Sequence, residues 1–242
     1  MFQRLLNSFT NDCRYIVRDP ILMAAVFYPL ITILLVRFAI NPISELIFSE
    51  TGFRLELYYT IIAITLISAI PAVFGFIFAF ISLNNSDLNR LNFDPATPAD
   101  KKSFLCIRLI VPTLLSIITV FITVLITDPV PSEGWLRSVF VTFLLSVQSP
   151  FILLFIVNFS NSRPKVILLS KLYGIFLVTV PLGLLIHHPW NYLLFFSPLY
   201  WTSWSWVTYS PSESLLYGAI SIAISLGCIL WFYSHLLRKN KA

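Results

Sequence analysis

Long apolar blocks separated by short polar stretches recur along the whole chain, as in "ILMAAVFYPLITILLV" from Ile21 to Val36. A helix needs about 20 mostly apolar residues to cross a hydrocarbon core of roughly 30 Å at 1.5 Å per residue. Six blocks meet that length: about Pro20 to Ile40, Leu57 to Leu83, Phe104 to Ile126, Leu136 to Phe159, Val166 to Ile186 and Ser214 to Leu237. The pattern predicts an all-α polytopic membrane protein with six transmembrane helices, a single transmembrane domain over residues 1–242.

Two stretches break the simple alternation. The opening "MFQRLLNSFTNDCRYIVR" has no continuous apolar core and no small-residue cleavage site, so it does not read as a cleavable signal. Phe2, Leu5, Leu6, Phe9, Cys13, Ile16 and Val17 recur at helical spacing, with Arg4, Asn7, Asn11, Arg14 and Arg18 elsewhere. That pattern predicts an amphipathic interfacial helix over residues 1–18, its bases toward anionic lipid.

The second stretch, "HHPWNYLLFFSPLYWTSWSWVTYSPSES", follows the fifth block and holds four of the six tryptophans. Its apolar pieces between Pro189, Pro198 and Pro211 are too short to span, so residues 187–213 predict short re-entrant aromatic helices before the last span. Trp and Tyr favour the membrane–water boundary, where an apolar body and a polar tip are both served. A plain anchoring belt is one reading. The other is an outer gate, with Trp190, Tyr200, Trp201, Trp204 and Trp206 as its candidates.

Composition agrees with lipid as the main solvent: 57% of residues are hydrophobic and 11% charged, against roughly 25% charged in soluble domains. Charge then sets orientation. With six spans and a cytoplasmic N terminus, thirteen Lys and Arg fall inside, while Arg37, Arg54 and Arg137 fall outside. This asymmetry predicts a multi-pass protein of a bacterial-type cell membrane with both termini cytoplasmic. It also explains the net charge of +5 without a nucleic-acid partner.

Candidate chemistry is sparse. Cys13, Cys106 and Cys228 form no CxxC, and the three histidines have no ligand spacing, so no metal site is expected. No GxSxG, intramembrane carboxylate pair or GxxxxGK[ST] phosphate loop occurs, which leaves no catalytic or cofactor-binding site and argues against an enzyme. Arg37, Arg108 and Lys171 sit near span ends, where they can snorkel to headgroups. The span interiors offer hydroxyls suited to helix packing, among them Thr65, Thr113, Thr119, Thr123, Ser221 and Ser225. Pro29, Pro71, Pro112, Pro150 and Pro181 place one bend in each of the first five spans.

The most polar interruption, residues 84–103, lies between the second and third blocks. In it Thr97 suits an N-cap, Pro98 the first helical position, and Asp100 the positive end of the helix dipole. Lys101 and Lys102 would hold that turn on the cytoplasmic side.

These features together resemble the membrane subunits of type-2 ABC exporters, and most closely the small drug-export permeases of the fluoroquinolone kind. The residues that carry the likeness are "RDP" (Arg18, Asp19, Pro20), Pro29 and Arg37 in the first span, Thr97–Pro98 after the second, and Arg108 with Pro112 leading into the third. Relatives usually carry consecutive acids where this chain has Asn84, Asn85, Ser86 and Asp87, so its charge match to an ATPase differs. The resemblance implies a separate ABC ATP-binding subunit that holds the ATP, and a second permease subunit, identical or paralogous. It implies a coupling loop at 84–103, with Thr97, Pro98, Asp100, Lys101 and Lys102 in the coupling helix. The interfacial helix, with Arg14, Arg18 and Asp19, would adjoin that docking site. The alternative is a non-ABC six-span protein of the assembly or immunity type, which acts by binding.

Overall fold

The computed structural model describes residues 10, 12–84, 98–129, 135–160, 162–186 and 190–239. All regular elements among the described residues are helical. Among the described residues, six helical stretches are long and apolar enough to cross a membrane: Tyr28–Thr51, Leu55–Leu83, Arg108–Thr127, Leu136–Phe159, Pro164–Leu185 and Pro211–Leu236. The protein is therefore an all-α, multi-pass membrane protein, and five of the six spans start and stop within a few residues of the expected positions.

The first span departs from expectation. Helical backbone at 12–18 ends at Asp19, whose carboxylate accepts hydrogen bonds from the backbone N–H groups of Ile21 (3.0 Å) and Leu22 (3.4 Å). Pro20 takes the first position of the next helix, Pro20–Val26, where its missing N–H costs nothing. The rod then breaks at Phe27, resumes over Tyr28–Leu34, and passes through a π turn at Leu35–Ala39. Instead of ending near Ile40, it continues as Ile40–Thr51. Asn41–Pro42 does not stop it because Pro42 falls in the first turn after the π segment, where the proline's missing donor is tolerated. Gly52, at φ 71°, supplies the left-handed residue that finally ends the helix. Ile40–Thr51 packs on the 3₁₀ turn Leu55–Tyr58 that opens the second span.

Prolines sort into two kinds. Pro71, Pro112 and Pro181 lie inside continuous helices. Pro29 and Pro150 instead follow breaks, at Phe27 and at Val147, so that the fourth span is two helices, Trp135–Ser146 and Gln148–Phe159. A proline just inside a helix start loses no bond that the helix would have made.

The second and fourth spans form the centre of the bundle, with 56% and 67% of their apolar windows buried against 22% for the first and sixth. Gly75 permits their contact: a Cβ there would lie 2.7 Å from the Ser149 carbonyl oxygen. Around this axis Ile64, Ile67, Ile77, Ile81, Leu145, Ile152 and Ile156 form one apolar core. The third span turns Ile110, Leu114, Ile118, Ile122 and Leu125 outward at near-helical spacing, a stripe suited to lipid tails.

Candidate functional site

Two ends of the bundle carry the residues singled out by the sequence. At the end rich in Lys and Arg, the helix expected to start at Pro98 does so, and runs unbroken to Thr127. Pro98, Asp100, Lys101 and Lys102 occupy its first turns, while Thr97 lies outside the described residues. They therefore sit on the same 30-residue rod as the third span and not on a separate short helix. Nearby, Arg14 and Arg18 are exposed, and Asp19 makes the cap already described. The rest of the interfacial stretch, residues 1–9 and 11, and most of the loop, residues 85–97, lie outside the described residues.

At the end poor in bases, the aromatic stretch forms a 3₁₀ turn, Trp190–Leu194, and a ten-residue helix, Pro198–Val207. Pro198 at its first position and Ser197 ahead of it explain where the helix begins. This aromatic helix is largely internal: Tyr200 and Trp206 are 5% and 3% exposed, and Trp201 and Trp204 are half-buried. The Trp201 indole N–H donates to the Phe195 carbonyl at 2.8 Å. Rings of Phe195, Tyr200, Trp201, Trp204 and Tyr217 pack with centroids 5.0 to 6.4 Å apart. Burial pushes the Tyr200 phenol above its ordinary pKa, so it stays neutral. Four of the five aromatic candidates thus share one helix; Trp190 stands apart in the 3₁₀ turn.

Hydroxyl pairs fasten this helix on two sides. Toward the sixth span, Thr202 meets Ser221 at 2.7 Å, and Ser205 and Ser214 each donate to the other's carbonyl at 2.8 and 2.7 Å. Toward the fifth, Ser197 meets Thr179 at 2.9 Å, and Gly183 leaves room for the Tyr200 ring. Arg137, from the start of the fourth span, completes the set. Its Nη2 donates to the carbonyls of Ser205 (3.1 Å), Trp206 (2.7 Å) and Thr208. A cation on the last carbonyls of a helix satisfies acceptors that have no partner within it and meets the negative end of its dipole.

Arg137 reads in the sequence as a topology base, and nothing local marks it as a cap, since the carbonyls lie 68 to 71 residues away. Two buried amides were likewise not singled out. Gln148, at the break in the fourth span, donates to Ser225 Oγ at 2.9 Å. Asn158 donates to the carbonyls of Leu154 and Phe232, and its Oδ1 lies 3.0 Å from His235 Nδ1. Both tie the fourth span to the sixth. By contrast, Thr65, Thr113, Thr119, Thr123 and Thr127 donate back to carbonyls of their own helices. Their protons are spent locally, so they line no donor-rich path.

No curated protein and no solved structure matches the chain at a significant level. A family model does, over nearly the full length. From residue 12 to residue 233 the chain matches, and so belongs to, the family described as Rv2686c-like fluoroquinolones export permease proteins.

Proposed function

We propose that this chain is the membrane subunit of an ATP-driven drug exporter, with ATP bound by a separate ABC subunit. Membership of an export permease family over residues 12–233 supports the permease reading. The absence of any GxxxxGK[ST] loop from the sequence supports nucleotide binding by a partner. A second permease subunit, identical or paralogous, would complete the path. The excess of bases at one end supports a cytoplasmic location for that end and for both termini.

The observation that carries the coupling role is the unbroken rod Pro98–Thr127. The first and fourth spans are interrupted at Phe27 and Val147, but this helix has no such joint. Pro112 removes one hydrogen bond from it without interrupting the helix, so a displacement of its cytoplasmic turns is carried into the third span. At the far end, the Tyr59 hydroxyl donates to the Thr127 carbonyl at 2.7 Å, linking the rod to the second span at the bundle centre. Asp100, Lys101 and Lys102 are the residues that would receive the push.

The test is export from cells carrying the triple substitution of Asp100, Lys101 and Lys102 to alanine, together with co-purification. An ATPase with a phosphate loop should accompany the wild-type chain. The variant should reach the membrane in normal amounts but export at least about tenfold more slowly, the scale of a modest coupling energy. Export that survives the substitutions, with no ATPase recovered, defeats the coupling assignment.

A further inference from the structure

The sixth span ends, on the base-rich side of the bundle, in a pair of rings that the transport reading leaves unused. Pro211–Leu236 has 26 residues. That is about 39 Å at 1.5 Å per residue, against a hydrocarbon core of roughly 30 Å, so its end turns reach the headgroup level. There Trp231 is 59% exposed, and His235, four residues on and on the same face, is exposed as well. Their ring centroids lie 6.3 Å apart, with the planes at 34°. Arg238, Lys239 and Lys241 follow at once in the sequence.

A buried amide decides what the histidine offers. The Nδ2 of Asn158, which is itself buried, donates to the carbonyls of Leu154 and Phe232 at 2.9 and 3.1 Å. Its Oδ1 can then only accept, and it lies 3.0 Å from His235 Nδ1. In the neutral imidazole the proton therefore sits on Nδ1, and Nε2 keeps a lone pair. Among the described residues, Nε2 has no partner within the protein, and the Trp231 indole N–H has no acceptor. One face of the sixth span thus carries a fixed acceptor and a donor on successive turns, next to a run of positive charge.

We propose that this face binds the headgroup of an anionic phospholipid that carries a hydroxyl beside its phosphate, as phosphatidylglycerol does. A phosphate oxygen accepts from the Trp231 N–H, and the hydroxyl donates to His235 Nε2. The positive charge of the residues that follow favours a head of net negative charge. A choline head fits less well, because it has no donor for Nε2. An ethanolamine head fits less well too, because it brings an ammonium to a positive segment. The site belongs to one copy of the chain and needs no nucleotide, so it stands or falls separately from the ATP-driven reading.

The full-length protein in mild detergent is titrated with phosphatidylglycerol, phosphatidylmethanol and phosphatidylcholine of the same acyl chains, and the first bound lipid is read by native mass spectrometry. Phosphatidylmethanol keeps the negative charge and lacks the hydroxyl. Phosphatidylglycerol should bind about tenfold tighter than phosphatidylcholine, the scale of a few bases near an anionic head. It should bind about threefold tighter than phosphatidylmethanol, the scale of one hydrogen bond. His235→Phe should bring phosphatidylglycerol down to phosphatidylmethanol and leave the latter unchanged. Trp231→Phe removes no hydrogen bond within the described protein, so it tests the site even if His235→Phe fails to fold. It should weaken both anionic lipids about threefold and keep their ratio. Equal binding of the two anionic lipids by the wild type, or a hydroxyl preference that survives His235→Phe, overturns the proposal. So does binding unchanged in Trp231→Phe, or the absence of any preference over phosphatidylcholine.

Discussion

The aromatic helix Pro198–Val207 and the first span are both proline-punctuated and apolar, yet they are held in opposite ways. The short helix is fixed by direction-specific bonds: Arg137 on its last carbonyls and hydroxyl pairs to the fifth and sixth spans. The first span, at 22% buried, rests mainly on side-chain contacts and, among the described residues, on one long-range hydrogen bond, from the Tyr28 hydroxyl to the Leu66 carbonyl at 3.1 Å. In lipid, apolar contact between helices has no water-exclusion term behind it, so close packing and polar bonds decide which elements stay together. A gate that opens by swinging the aromatic helix would have to break buried bonds with no water to replace them. The comparison marks the aromatic helix as tied by polar bonds to the fourth, fifth and sixth spans, and the first span as the less firmly fastened of the two.

The sharpest way to break this comparison is Arg137→Ala. It leaves the carbonyls of Ser205, Trp206 and Thr208 without their charged donor. Hydrogen bonds to a charged group are worth about 1.5–3 kcal/mol and are not additive when one group serves several acceptors. A loss of about 3 kcal/mol is expected, lowering the melting temperature in detergent by on the order of 10 °C. Arg137→Lys should recover part of the loss, since an ammonium keeps the charge but not the guanidinium fork. A melting temperature unchanged in Arg137→Ala would show that the cap does not hold the helix.

Gly183→Ala tests the same region by packing alone. A Cβ at that position would come 2.5 Å from a ring carbon of Tyr200, which is buried among other aromatic rings. Overpacking of this kind costs about 1–3 kcal/mol, and about 2 kcal/mol is expected by thermal unfolding in detergent. Tyr200→Leu should rescue part of that cost, whereas Tyr200→Phe, which keeps the ring, should not. Full additivity of Gly183→Ala and Tyr200→Leu would show that the two do not touch.

The sequence made one half of this comparison legible and hid the other. The spans stand out because lipid imposes a length and a polarity on each of them, and the fourth is the same Leu136–Phe159 in both readings. Aromatic clustering between Trp190 and Trp206 marks this segment for a reason that local composition can carry. The bonds that fix that segment are not local. Arg137, Gln148 and Asn158 have partners 68 to 77 residues away, and one-dimensional pattern reading assigns each to a span end or an apolar run. The overrun of the first helix to Thr51 was missed for a related reason. Asn41–Pro42 is a stop signal in isolation, and only the preceding π turn makes Pro42 an acceptable early residue of a new segment.

The mildest substitution bears on the first span itself. Tyr28→Phe removes one hydroxyl and nothing else, and the Leu66 carbonyl it leaves keeps its place in its own helix. Polar contacts between membrane helices average about 0.6 kcal/mol, so the overall melting temperature should stay within about 2 °C of wild type. Local opening should respond more visibly, because among the described residues this is the long-range hydrogen bond that ties the span to its neighbour. Ala25→Cys, at a half-buried position on the same segment, reports it by the rate of maleimide labelling in a cysteine-free background. Adding Tyr28→Phe should raise that rate about threefold, the Boltzmann factor for ~0.6 kcal/mol. A thiol at Ser203, buried in the aromatic helix, should show no change. Equal acceleration at both positions would mean that the first span and the aromatic helix open together, and the distinction between a firmly and a less firmly fastened element would fall.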